Sequence, residues 1–133
     1  MVAEPLPIER RRLHRVVARR KRSLVFLDPG KIWAFEAVDR LSYVHAPEGT
    51  FDIDLSLAAI EASLGHTFFR VHRNWLVNLL VVRELEREAG AAMVTVGNDL
   101  AGEGRSIRAP VSRQRAKALR EVLLTNATGL RRP

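Results

Sequence analysis

Over most of the chain, apolar and polar residues alternate with a period of two, the mark of half-buried strands. The pattern is cleanest at Thr50–Leu55, where Phe51, Ile53 and Leu55 interleave with Asp52 and Asp54. Shorter runs predict strands at Leu13–Ala18, Ser23–Leu27, Ile32–Ala37, Leu41–Ala46, Phe68–Val71, Val81–Glu88, Ala92–Val96 and Arg105–Val111. Turn chemistry separates them. Arg19-Arg20-Lys21-Arg22 reads as the cationic tip of a hairpin, and Asp28-Pro29-Gly30 as a turn in which proline presets φ and glycine supplies a positive φ. Pro47-Glu48-Gly49 and Ala89-Gly90-Ala91 reverse the chain again, and residues 97–105, with three glycines, form a loop. Pro110 lacks an amide donor, which predicts an edge position for the last strand.

The period changes twice. After Ser56, the residues Leu57, Ile60 and Leu64 fall at i, i+3 and i+7 and Gly65 follows, which predicts a short helix with a serine N-cap and a glycine stop. Ser112 opens a second helix over about residues 112–124. The sum is eight to ten short strands and two helices, a mainly β protein. Its strands come in hairpins instead of alternating with helices, so a βαβ nucleotide fold is not expected. Residues 1–11, with two prolines and mixed charge, read as a linker or disordered N-terminus, residues 12–124 as one domain, and residues 125–133 as a frayed tail.

The chain has 133 residues and no cysteine, which excludes disulfides, thiolate zinc sites and thiol catalysis. No apolar run approaches the roughly 18 residues of a membrane span, and no signal peptide opens the sequence, so a cytoplasmic location is expected. The formal charge is +7, unevenly placed: +6 over residues 1–22, −5 over 23–66 and +6 over 67–133. A fold that joins the two ends would carry a positive face suited to an anionic partner.

Enzyme motifs are absent: no glycine-rich phosphate loop, no His-Glu-x-x-His, no Gly-x-Ser-x-Gly. His72-Arg73-Asn74 lacks the aspartate of a kinase catalytic loop, and the four histidines (14, 45, 66 and 72) show no ligand spacing. No catalytic activity, metal or cofactor is expected. The cations are more informative. On a wheel of the last helix, Arg113, Lys117 and Arg120 fall within about 60° of one another, and Ala116, Leu119, Val122 and Leu123 take the opposite arc. That stripe is either the solvated face of a docked helix or a surface for phosphates and bases. Arg113, directly after Ser112, sits beside first-turn N–H groups, where an anion is well received.

Phe68-Phe69-Arg70-Val71-His72-Arg73-Asn74-Trp75-Leu76-Val77-Asn78, followed by Pro110-Val111-Ser112-Arg113, resembles the LytTR family of bacterial DNA-binding domains. That family shows a Phe-x-Arg-x-His-Arg-Ser-Tyr-Leu-Val-Asn core and a Val-Ser-Arg segment opening the last helix. The acidic-aromatic run Trp33-Ala34-Phe35-Glu36-Ala37 and Ser56-Leu57 match as well, so the resemblance spans about residues 12–124. It implies an elongated assembly of small, mostly antiparallel sheets with one short internal helix and a C-terminal helix. Loops, not a recognition helix, would enter successive major grooves of double-stranded DNA. Base-reading positions carry over to Arg40, Arg73 and Arg113. Each is an arginine, the residue that reads guanine bidentately and discriminates by about 1–3 kcal/mol. Backbone or supporting roles are expected for Arg70, His72, Asn74, Lys117, Arg120, Arg20 and Lys21. Family practice further implies paired repeats with two copies per site, and a parent chain that can carry a receiver domain.

Asn74-Trp75 departs from the family's Ser-Tyr, and the 97–105 loop and the N-terminal cationic tip are also unusual. Bland readings stand beside the functional ones. His72 either bonds phosphate or holds a turn. Arg70 either contacts phosphate or is a surface strand residue. The Arg19–Arg22 tip is either solvated or a backbone clamp. Trp75 reads as core, Asn78 as a pin of the local turn, and Asp39 as a partner for Arg40 when DNA is absent. The alternative function is a protein-interaction module on the same fold, binding an acidic partner or a membrane surface through its basic ends. Single-stranded RNA binding needs exposed aromatic platforms, and most of the few aromatics here fall at core positions.

Overall fold

A computed structural model of the chain describes residues 14–131. Residues 1–11, and with them the expected linker, lie outside the described residues. Ten strands and two helices follow in order: β1 (Val16–Arg20), β2 (Ser23–Leu27), β3 (Ala34–Val38), β4 (Leu41–Ala46), β5 (Gly49–Ile53), α1 (Leu57–Leu64), β6 (Phe68–His72), β7 (Trp75–Asn78), β8 (Val82–Glu88), β9 (Ala91–Gly97), β10 (Ser106–Val111) and α2 (Arg113–Thr125). All strand pairs are antiparallel. They build a seven-stranded sheet in the order β2-β1-β5-β4-β3-β7-β6 and a three-stranded sheet in the order β10-β9-β8.

The layers follow from which faces are apolar. On one side of the large sheet Phe35, Val44, Phe51 and Leu76 pack with Leu57 and Ile60 of α1. On the other side Ala34, Val71 and Val77 pack with Val94, Val96 and Ala109 of the small sheet and Leu119 of α2. The β3–β7–β6 part of the large sheet is thus covered on both faces. This is why Ala34-Phe35 and Leu76-Val77 are continuous buried runs without alternation. Pro110 sits on β10, an edge strand, as its missing donor requires.

Three turns differ from expectation. Asp28-Pro29-Gly30 opens a 3₁₀ turn over Pro29–Lys31, with the Asp28 carboxylate accepting from Gly30 N at 2.9 Å; Gly30 is not among the residues with positive φ. The β1–β2 turn contains only Lys21 and Arg22, because Arg19 and Arg20 belong to β1. The β8–β9 turn is the pair Ala89-Gly90, at φ 49° and 83°, and Ala91 already pairs with Glu88.

Asn78 is fully buried and pins two such turns. Its Nδ2 donates to Ile32 O at 2.8 Å and Gly30 O at 3.2 Å, and its Oδ1 accepts from Leu80 N at 2.9 Å. A single amide side chain therefore closes the segment before β3 and the one after β7.

Candidate nucleic-acid interface

The β6–β7 turn is the centre of the site. Arg73 and Asn74 connect His72 to Trp75, with a register shift just before, between Arg70 and His72. Arg70 folds back along this bulge. Its Nη2 donates to Arg73 O at 2.6 Å, its Nε to His72 O at 3.1 Å and its Nη1 to Glu61 of α1 at 3.3 Å. The guanidinium is thus committed to holding the turn. His72 also holds it: Nδ1 accepts from Asn74 N at 3.1 Å, which leaves the Nε2–H of the neutral ring pointing elsewhere. Asn74 takes part through its backbone, and the Arg73 side chain is exposed.

Two backbone hydrogen bonds hang the neighbouring segments on this turn. Ala37 N donates to Asn74 O at 2.9 Å, which extends the β3–β7 pairing and brings the end of β3 alongside. One residue further, Asp39 and Arg40 form the β3–β4 turn, both in the left-handed region at φ 50° and 68°. On the other side Ser112 N donates to Val71 O at 2.8 Å, which sets the start of α2 and Arg113 beside the bulge. Arg115 secures the helix there, its Nε donating to Arg70 O at 3.0 Å and its guanidinium lying 4.6 Å from the Phe69 ring centroid. Arg40, Arg73 and Arg113 are all exposed, and none makes a side-chain hydrogen bond or ion pair among the described residues. Asp39 does not pair with Arg40 there.

The start of α2 is open. Ser56 caps α1 through its hydroxyl, which accepts from Ala59 N at 3.2 Å, whereas the Ser112 hydroxyl makes no such bond. The first-turn N–H groups of α2 are left without a side-chain acceptor. A cleft of about 470 Å³ lies between this helix start and the β8–β9 tip, with Arg87 on one wall and Arg113 on the other. Lys117 and Arg120 continue the exposed face of α2.

The N-terminal cations lie elsewhere. Arg19 pairs with Asp52 across the β1–β5 ladder, so the Lys21–Arg22 tip runs toward Gly49, the end of β5 away from the Arg40 turn. Arg20 and Lys21 are exposed. Arg19 is not a free cation: its Nη2 lies 2.8 Å from Asp54. Hydrogen bonding and charge attraction from Arg19 hold the Asp54 carboxyl below its ordinary value, and Asp54 in turn raises Arg19. The apolar groove of about 500 Å³ lined by Val17, Leu24, Ile60 and Leu64 borders this hairpin, not the arginine-bearing turns.

A third polar cluster lies across β3, β4 and β5. His45 Nδ1 is 2.9 Å from Thr50 Oγ1 and His45 Nε2 is 3.0 Å from Glu36, while the ring stacks on Trp75 at 5.5 Å. The residue types match a nucleophile, a base and an acid. Here they stitch three adjacent strands together, with an indole over the imidazole.

The chain, in which Phe68–Asn78 and the Val111-Ser112-Arg113 step are joined in space, matches the LytTr DNA-binding domain family over residues 22–124. The chain belongs to the LytTR family. A search of the curated proteins finds no match. Four chains of solved structures match. One is described as the LytTr DNA-binding domain of a methyl-accepting/DNA response regulator from Bacillus cereus, with a TM-score of 0.71 and 25% identity over 82% of this chain and 95% of that one. The ten-stranded, two-helix fold is that of a LytTR domain. Where this LytTR domain has Asn74-Trp75, the first residue contributes backbone bonds to the turn, and the second packs against the core shared with the small sheet and stacks on His45. Sequence reasoning missed Arg115, although it carried a signal: on the helical wheel it falls between Leu119 and Val122, a charge on the apolar arc. No helix among the described residues is long and apolar enough to cross a membrane.

Proposed function

We propose that this chain is the sequence-reading domain of a bacterial transcription regulator, binding double-stranded DNA with loops set into successive major grooves and performing no catalysis. One observation carries the reading. Three exposed arginines without a side-chain partner among the described residues, Arg40, Arg73 and Arg113, sit on three segments tied to one another by the Ala37–Asn74 and Ser112–Val71 backbone bonds. The Arg40 turn adds support. A left-handed backbone costs a side chain about 1–2 kcal/mol relative to glycine, and asparagine or glycine is the usual solution in such a hairpin turn. An arginine kept there is a strained residue presented at a tip.

In this arrangement Arg40, Arg73 and Arg113 read base edges. Arg70 and Arg115 act as positioning residues that hold Arg73 and the start of α2. His72 Nε2–H, the uncapped N–H groups of α2, Lys117 and Arg120 receive phosphates. Arg20 and Lys21, on the far hairpin, add sequence-independent attraction. Affinity comes mainly from released counterions, and specificity from the three arginines together with DNA bending. Two copies occupy paired repeats, and the domain serves a cytoplasmic regulator whose parent chain can include a receiver domain.

The test is binding of Arg40→Ala, Arg73→Ala and Arg113→Ala to a duplex pool selected by the wild-type chain. Each variant should relax the preference at a different base pair, whereas Arg20→Ala should weaken all sequences alike. Equal loss on every sequence for all three arginines refutes the base-reading assignment. Tighter, salt-sensitive binding to an acidic protein than to duplex would favour a protein-interaction module instead.

A further inference from the structure

Among the described residues the two sheets present four edge strands, and three of them are blunted. β6 carries Arg70 and a register shift, β8 carries five charged residues and a register shift between Val82 and Glu84, and β10 carries Arg108 and Pro110. Charges, bulges and prolines are the devices by which proteins keep edges from pairing. β2 has none of them. Its sequence is Ser-Leu-Val-Phe-Leu, and it pairs with β1 without a register shift. On its outward face Leu24 and Phe26 are 58% and 57% exposed, and Val17, opposite Phe26 on β1, is 46% exposed.

From this geometry we infer that β2 is a self-association edge, pairing antiparallel with β2 of a second copy about a two-fold axis at Val25. The sequence is complementary to itself in that register. Ser23 meets Leu27, Leu24 meets Phe26, and one residue beyond each strand end Arg22 of one copy meets Asp28 of the other. The last contact occurs twice, as an isologous interface demands. Within one chain neither Arg22 nor Asp28 makes an ion pair among the described residues. Pairing edge to edge satisfies the open backbone groups of β2 and covers the two Leu24–Phe26 pairs on one face. β2 is the strand farthest in the sheet order from β6, so the dimer leaves the Arg73 turn free.

The experiment is sedimentation equilibrium on the chain without DNA, from about 1 μM to about 1 mM, the span of weak protein interfaces. Wild type should pass from monomer to dimer within that range. Leu24→Lys, which places a lysine on the edge, should remain monomeric while its urea midpoint stays near wild type. Arg22→Glu sets like charges opposite each other twice and should weaken association about tenfold or more. Hydrogen exchange of the β2 amides supplies a second readout: protection should rise with protein concentration. A wild-type chain monomeric at about 1 mM, or self-association untouched by Leu24→Lys, overturns the inference. So does β2 protection independent of concentration, which would mean that the chain's own residues cover the edge.

Discussion

Replacing Arg70 by methionine separates a residue that holds the reading turn from one that touches the phosphate backbone. The methionine keeps the apolar stem and removes the guanidinium with its bonds to Arg73 O, His72 O and Glu61. A hydrogen bond from a charged donor contributes about 1.5–3 kcal/mol net when well shielded. The Arg70 side chain is 28% exposed and Glu61 43%, so the ion pair adds little and the two carbonyl bonds count near the low end. The expected loss is about 3 kcal/mol, a fall in Tm on the order of 10 °C for a domain of this size. DNA affinity measured against salt then decides the role. A positioning residue leaves the slope of log K on log salt unchanged, and its removal flattens discrimination at the base pair proposed for Arg73. A phosphate contact lowers the slope by about 0.9 and weakens all sequences alike. Arg70→Lys should not rescue, since one ammonium cannot span three acceptors that a planar fork reaches. A reduced slope with discrimination and Tm intact would refute the positioning role.

Asn78→Ala removes the buried amide that serves Ile32 O, Gly30 O and Leu80 N. A loss of about 3 kcal/mol is expected in urea unfolding, because the orphaned groups stay buried. Asn78→Asp should be no better, since it sets a carboxylate against two carbonyls. At Gly97, φ is 143° and an added Cβ would stand 2.6 Å from Ser106 Cα and 2.7 Å from Arg105 O. Gly97→Ala should cost about 3 kcal/mol or more in thermal unfolding, whereas Gly90→Ala, with open space around its Cβ, should cost about 1 kcal/mol. Asp54 titrates below its ordinary carboxylate value in the folded chain. Between the folded and unfolded values the unfolded chain holds more protons, so stability rises with pH through that window. The contribution is full above the unfolded value and is lost as pH falls through the folded one. Asp54→Asn should remove this part of the acid sensitivity, and salt should shrink it in the parent, as measured by urea midpoints across acid pH.

The hairpins were legible because one face of each strand meets water. Leu41–Ala46 is found as a strand with those bounds, and Ser56 to Gly65 bounds the short helix as its spacing predicts. β7 was not legible as a strand. Both faces of Leu76-Val77 are buried, so the period-two signal vanishes and only a motif remains. The same limit governs the arginines. Side-chain type marks Arg19, Arg40, Arg70, Arg73, Arg113 and Arg115 alike, but their roles depend on groups far away in the chain. Arg19 is committed to Asp54, 35 residues on, Arg70 to Glu61, nine residues back, and Arg115 to Arg70 O, 45 residues back. The family resemblance supplied positions for Arg40, Arg73 and Arg113 without saying what aims them. Two main-chain hydrogen bonds, which no pattern of side chains encodes, bring the three segments together. A guanidinium already saturated by its own protein has little left for another partner, so the bracing arginines follow from the contacts the fold gives them, and the arginines proposed as readers are those that make no such contact among the described residues.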